Sequence, residues 1–312
     1  MTTRVLLTVD TELAWRHAAS GRPWEENYAR SVEPAGVGLG YQLEVLARHG
    51  LRACFFIDPM PACRYGLGPV RRMVETVLAA GQEVQLHLHP SWMGGQDRQA
   101  FELAGLSTDR QQALIDQGAR FLVDSGAPNP IAFRAGSFGA DDSTLDALAR
   151  LGFRYDSSFN ASHAPWPCAI SLPAHQIDPV SHRGVVELPV GQIAGARGGL
   201  RHIQLCALSQ VELRHALADA ACANQQVVTL VSHSFELAAR DGLRANSLLK
   251  RRFEQLCLWL EGQSDKLPTV HFADLPDLRL DVRSPHPAGN GWRSLGRMAE
   301  QALGNLLYEG RL

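Results

Sequence analysis

Val5-Leu6-Leu7-Thr8-Val9-Asp10-Thr11-Glu12, near the start of the chain, is a short β-rich run that ends in two carboxylates. A run this apolar on both faces suits a strand buried inside a parallel sheet, not a half-solvated antiparallel one. Residues i and i+2 of an extended segment project to the same side, so Asp10 and Glu12 share a face. Two like charges held together are costly unless a cation or a proton lies between them. A solvated loop carrying helix-capping acids is the other reading of the same residues.

Working outward, similar runs recur at Ala53–Ile57, Val84–Leu88, Ile131–Phe133, Val185–Val190, Ile203–Leu208, Val227–Val231 and Thr269–Phe272. Between them lie helix-period segments: Val37–His49 before Gly50, Val70–Ala80 before Gly81, Thr108–Ser125 before Gly126, Ser143–Arg150, Ser209–Asn224 and Ala245–Leu260. Ser209-x-x-Glu212 is a capping-box pattern that satisfies first-turn amides. Alternating strands and helices imply a parallel sheet with right-handed crossovers. Seven or eight such units point to an α/β chain, a closed or nearly closed (β/α)7-8 barrel, over residues 1–281. The composition changes after Asp281, where residues 282–312 read as a loop followed by an amphipathic stretch, Leu295–Leu307, expected to pack on the barrel or to serve as an oligomer contact.

The 312 residues are 45% hydrophobic and 20% charged, enough to bury a large core. The formal net charge of −2 speaks against a broad nucleic-acid footprint. No window approaches the roughly 20 apolar residues of a membrane span. The first apolar run is too short for a signal peptide, so a cytoplasmic location is expected. Cys54, Cys63, Cys168, Cys206, Cys222 and Cys257 form no C-x-x-C pair and read as small residues in a reducing compartment, four of them in apolar settings.

In a strand–helix barrel, the loops after the strands converge on one face. Several strands here end in reactive groups. Gln85-Leu86-His87-Leu88-His89-Pro90 places two imidazoles at i and i+2. Two histidines plus a carboxylate, with positions left open, is a catalytic-metal pattern, although buried histidines with a carbonyl partner are common. Ala132-Phe133-Arg134-Ala135-Gly136 sends an arginine out of an apolar strand, where it needs a counter-ion such as a strand-end aspartate, or else staples two loops. Thr229-Leu230-Val231-Ser232-His233-Ser234 ends in a histidine fit for proton transfer or for a core hydrogen bond. Tyr155-Asp156-Ser157-Ser158 offers a carboxylate to orient it. Trp15, Trp24, Trp92, Trp166 and Phe138 are candidates to stack on sugar rings, with packing roles equally open. The connection Trp15–Ser31 reads as a long loop able to cover the site.

In order along residues 5–275, these motifs resemble those of the polysaccharide deacetylase superfamily (NodB homology, carbohydrate esterase family 4-like). Thr8-Val9-Asp10-Thr11-Glu12 resembles its first motif, Gly81–His87 the approach to the second, Phe133-Arg134-Ala135-Gly136 the third, Tyr155–Ser158 the fourth and Leu230-Val231-Ser232-His233 the fifth. The resemblance implies a distorted barrel that removes acetyl groups, breaking a C–N amide bond, from an N-acetylated sugar or glycan precursor with a divalent metal, typically zinc. It implies Asp10 as general base, Arg134 as the residue that holds Asp10 ionised, His233 as general acid oriented by Asp156, and His87 as a metal ligand. Thr11 and Ser91 stand where the superfamily usually has two further ligands, and Glu12 and His89 are expected to replace them. A lipid-linked or nucleotide-linked precursor, or a soluble glycan intermediate, is the expected acceptor. A metal-independent amidohydrolase acting on a small cyclic amide, and a carbohydrate-binding barrel without catalysis, are the competing readings.

Overall fold

The computed structural model describes residues 2–93, 102–195, 199–280, 282–285, 297–298, 300 and 307–308. Most of the stretch Leu295–Leu307 lies outside the described residues. Of the tail, Arg297 approaches Glu212 at 3.6 Å, Glu300 pairs with Arg252 at 2.8 Å, and the Tyr308 hydroxyl lies 2.6 Å from Ser247 Oγ.

Strand β1 (Arg4–Thr11) is paired on both sides within the sheet, with all but its first residue buried. It is followed by helices α1 (Trp15–Ala19), α2 (Trp24–Ser31) and α3 (Leu39–Arg48), then β2 (Cys54–Ile57). Helices α4 (Ala62–Tyr65) and α5 (Gly68–Ala79) lead to β3 (Glu83–Leu88), α6 (Thr108–Asp124) to β4 (Ala132–Ala135), and α7 (Asp142–Arg150) to β5 (Tyr155–Asp156). A hairpin of β6 (Val180–His182) and β7 (Val185–Glu187) and a second, of β8 (Gln192–Ala194) and β9 (Leu200–His202), precede α8 (Gln210–Cys222), β10 (Val227–His233) and α9 (Ser247–Glu261).

The main sheet has the order β10-β1-β2-β3-β4-β5-β7-β6, parallel except where β6 meets β7. It curls until the chain just beyond β7 reaches β10: Val190 bridges Thr229, and Gly191 N donates to Thr229 O at 3.0 Å. The result is the expected distorted barrel with helices outside. Two apolar clusters fill it, a large one between sheet and helices and a smaller one around Leu6, Phe56, Tyr155 and Phe272. Gly50 and Gly81 follow α3 and α5 with φ of 62° and 69°, the left-handed geometry that ends a helix.

Several local expectations need correction. Ile203–Leu208 and Thr269–Phe272 are not strands; each meets the sheet through a single bridge, Gln204 to Val231 and Thr269 to Val5. Trp15–Ser31 is no open loop but the two helices α1 and α2, held by Ala14 N donating to Asn27 Oδ1 and Ser31 Oγ. The segment read as Ser143–Arg150 begins one residue earlier, at Asp142, and is capped by Asp141 with Thr144. All six cysteines are free, but only Cys54, Cys168 and Cys257 are buried. No helix among the described residues is long and apolar enough to cross a membrane.

Candidate functional site

Parallel pairing decides which side chains meet, because Cα partners in register point to the same side of the sheet. Asp10 is opposite His233 across β1 and β10, and His87 is opposite Arg134 across β3 and β4. Each stands at or next to the C-terminal end of its strand, so acid, imidazole and guanidinium face one mouth.

Arg134 is fully buried, and each of its three guanidinium nitrogens donates a hydrogen bond. Its Nη1 donates to Asp10 Oδ1 and Thr8 Oγ1, both at 2.8 Å, its Nε to Ser157 O at 3.1 Å and its Nη2 to Ser157 Oγ at 3.1 Å. The Phe56 ring lies 4.3 Å below the guanidinium. Asp10 is therefore clamped through one oxygen. Its other oxygen faces His233 Nε2 at 3.9 Å.

On the neighbouring strand end, Glu12 Oε2 lies 2.6 Å from His89 Nε2 and 3.4 Å from His87 Nε2. Among the described residues this trio is the only group of three or more acid, histidine or cysteine side chains whose donor atoms all lie within 4.8 Å of one another. Two details fit it for a cation. His87 Nδ1 sits 2.9 Å from Arg134 O, and a carbonyl can only accept, so Nδ1 donates there and Nε2 is the ring atom turned toward Glu12. Glu12 Oε2 is buried and has no hydrogen-bond partner, because His89 is close but out of line. A carboxylate oxygen without a hydrogen bond, set against two imidazole Nε2 atoms, is a donor set that could hold a divalent ion. Thr11 turns its hydroxyl to Val9 O at 3.3 Å, and Ser91 lies buried in the turn after β3; neither joins the cluster.

Charge in this pocket is strongly perturbed. Burial alone would raise the Glu12 carboxyl, but the adjoining His89 and His87 outweigh it and hold Glu12 well below its ordinary value. Burial opposes a charge on His89, yet Glu12, with Asp58 and Glu102 behind it, lifts it to about 9. His233 is likewise lifted to about 9 against burial, first by Glu236 and then by Asp10.

Asp156 is the one expected site residue placed otherwise. Its oxygens accept from Ser158 Oγ at 2.7 Å and Ser158 N at 3.1 Å; burial raises its carboxyl, and burial beside Asp156 raises that of Glu187 well above its ordinary value. The carboxylate beside His233 Nδ1 is Glu236, with Oε2 at 3.6 Å from that atom and 2.8 Å from the His233 amide. Its other oxygen accepts from Cys206 N at 2.7 Å and Gln204 Nε2 at 3.2 Å. Sequence reasoning missed Glu236 although it stands three residues after His233. It also missed Asp58, directly after β2, which is buried, accepts from Trp92 Nε1 at 3.0 Å and is raised to about 6 by burial.

Of the aromatic candidates, Trp92 and Phe138 are buried, Trp15 packs edge-on to Trp92 and Trp24 on Tyr28, and Trp166 alone is well exposed. Gly136 has a steric duty: a Cβ there would stand 2.3 Å from His89 Nδ1. Gly136→Ala should push the His89 ring off Glu12 and weaken metal binding by about 10- to 100-fold, the range for disturbed supporting groups, as read by titration with zinc. Unchanged affinity would show that His89 is not a ligand.

No protein-family profile matches the chain, and no curated protein matches it significantly. Solved structures do. A Mycobacterium smegmatis protein assigned as a polysaccharide deacetylase superposes with a TM-score of 0.54 at 18% identity, covering 96% of this chain and 91% of that one. A 4-α-glucanotransferase of Thermococcus litoralis superposes with a TM-score of 0.52 at 9% identity over 88% of this chain and 40% of its own. With a curled parallel sheet whose strand ends carry Asp10, Glu12, His87, Arg134 and His233 in the motif order of the polysaccharide deacetylases, this chain shares the fold of the M. smegmatis protein.

Proposed function

We propose that the chain is a metal-assisted hydrolase that removes acetyl groups from the nitrogen of an N-acetylated sugar or glycan precursor. The observation that carries this reading is the arrangement of Asp10: clamped by Arg134 on one oxygen, open toward His233 on the other, and two residues from the Glu12–His87–His89 trio.

Held by Glu12, His87 and His89, a divalent cation such as zinc would polarise the acetyl carbonyl and bring the pKa of a bound water to about 7. Asp10 takes the proton of the attacking water on the oxygen that Arg134 leaves free. Arg134 keeps that carboxylate aimed and compensated in a buried site. His233 carries a proton at neutral pH and can deliver it to the departing nitrogen, with Glu236 fixing the ring from behind.

His87→Ala and Glu12→Ala proteins purified without chelator should each lose the metal that elemental analysis finds in the parent, and deacetylation of chitin oligomers with it. Full activity without any metal would overturn the metal-assisted reading. The acid role of His233 also fixes a pH limb. Its pKa is raised from 6.5 to about 9, so the protonated form persists through neutrality and is lost as pH rises through about 9. The rate should therefore fall tenfold per pH unit above about 9, and Glu236→Gln should move that limb to lower pH.

A further inference from the structure

A second cavity, of about 500 Å3, opens between α1, α2 and the chain that follows β10. Arg16, His17, Arg30, Arg240 and Arg244 line it, with Tyr308 at one side and Asp241 as its one carboxylate. This is a concentrated positive surface on a chain whose net charge is −2. Arg30 is partly spent on Glu26 at 3.1 Å, and Asp241 Oδ1 accepts from Leu243 N at 2.9 Å. Among the described residues neither Arg240 nor Arg244 makes an ion pair.

His17 supplies an independent sign of a missing ligand. Its side chain is about nine-tenths buried, and its Nε2 has no hydrogen-bond partner. An orphaned buried ring nitrogen is costly unless something polar reaches it. Burial, and then the charges of Arg16, Arg22 and Arg30, lower the His17 pKa, as befits a ring set among guanidinium groups in the wall of the cavity.

The cavity is also coupled to the proposed active site by the chain. Arg16 lies four residues after Glu12, and four residues of chain reach at most ~14 Å. Arg240 lies seven residues after His233, and Arg16 Nη2 donates to Arg240 O at 3.3 Å, joining the two connections. We infer that this cavity binds the diphosphate of a carrier-linked N-acetyl sugar, so that the substrate is a diphosphate ester whose sugar extends into the site of Asp10 and His233. Guanidinium forks suit phosphate oxygens, and a cavity of this size holds a diphosphate with part of its carrier. The inference rests on the deacetylase reading for the sugar but not for the anion.

Binding of uridine diphosphate to the full chain, followed by calorimetry, tests it without an activity assay. The Arg240→Gln/Arg244→Gln protein should bind roughly tenfold or more weakly, since charge-assisted bonds are lost, and His17→Ala several-fold more weakly. An Arg71→Gln/Arg110→Gln control, which removes two exposed cations on α5 and α6, should bind as the parent does. Geranyl diphosphate as a second probe identifies the carrier: tighter binding than uridine diphosphate marks a prenyl carrier, weaker binding a nucleotide, and equal binding a site that reads the diphosphate alone. The cavity variants should leave hydrolysis of unphosphorylated N-acetyl sugars unchanged. No binding of either probe, or equal weakening in the control, would overturn the inference while leaving the deacetylase reading standing. Binding lost only in the cavity variants, with no deacetylation of any sugar, would uphold the anion site and remove the other reading.

Discussion

Asp10→Asn should lower kcat for deacetylation by roughly 10²- to 10⁴-fold while the protein keeps its metal. The substitution preserves shape but removes the one group whose free oxygen faces both the attacking water and His233 Nε2, 3.9 Å away. Glu12, His87 and His89 are untouched, so zinc content measured on the same sample should equal that of the parent. Arg134 loses its charge partner, so the melting temperature falls as well, and rates must be expressed per folded molecule. His233→Asn should cost a similar factor. Because the two groups serve one proton path, the double variant should be little slower than either single one. Near-normal turnover of the Asp10→Asn protein would remove Asp10 from the chemistry. A loss of metal in that protein would instead show that Asp10 itself is a ligand.

The strands that carry this site were legible because each is a short apolar run with a reactive residue at its end, and no helix-period pattern competes there. The misses share a cause. Ile203–Leu208 has a strand's composition, yet Gln204 and Cys206 are drawn toward Glu236, and only Leu205 and Ile203 reach β10 with backbone hydrogen bonds. Tertiary hydrogen bonding, invisible in local sequence, overrode propensity. The helices α1 and α2 were missed because their stability comes from outside themselves: the ends are tied by Asn27 and Ser31 to Ala14, and Tyr28 is buried under the Arg72 guanidinium at 4.5 Å.

For the site, same-side geometry on one strand was enough to bring His87, His89 and Glu12 to attention, since i and i+2 must meet whatever they face. Which acid accompanies His233 was not decided by such a rule. Asp156 ends β5, five places along the sheet from β10, and its oxygens are consumed locally by Ser158. Glu236 reaches His233 because the chain turns back directly after β10, with Glu236 N donating to His233 O at 3.1 Å. A turn that tight brings i and i+3 together, and nothing in the composition of Ser-Phe-Glu announces it.

The Arg134–Asp10 pair should be the costliest interaction in the molecule to break from one side. Arg134→Met keeps most of the volume and the contact with Phe56 but strips Asp10, 2% exposed, of its hydrogen-bonded guanidinium and leaves it only His233 Nε2 at 3.9 Å. It also strips donors from Thr8 Oγ1, Ser157 O and Ser157 Oγ. Removing one partner of a buried ion pair costs about 3–5 kcal/mol, against about 0–1 kcal/mol for an exposed pair such as Arg48–Glu44. At about 2 °C per kcal/mol for a domain of this size, the melting temperature should drop by about 6–10 °C. Exchanging both partners separates lost attraction from stranded charge: Asp10→Leu/Arg134→Met removes both ions together, so it should be more stable than Arg134→Met alone, although inactive. A double variant no more stable than Arg134→Met would mean that the guanidinium acts mainly as a hydrogen-bond hub for Thr8 and Ser157, and that little of the cost lies in its pairing with Asp10.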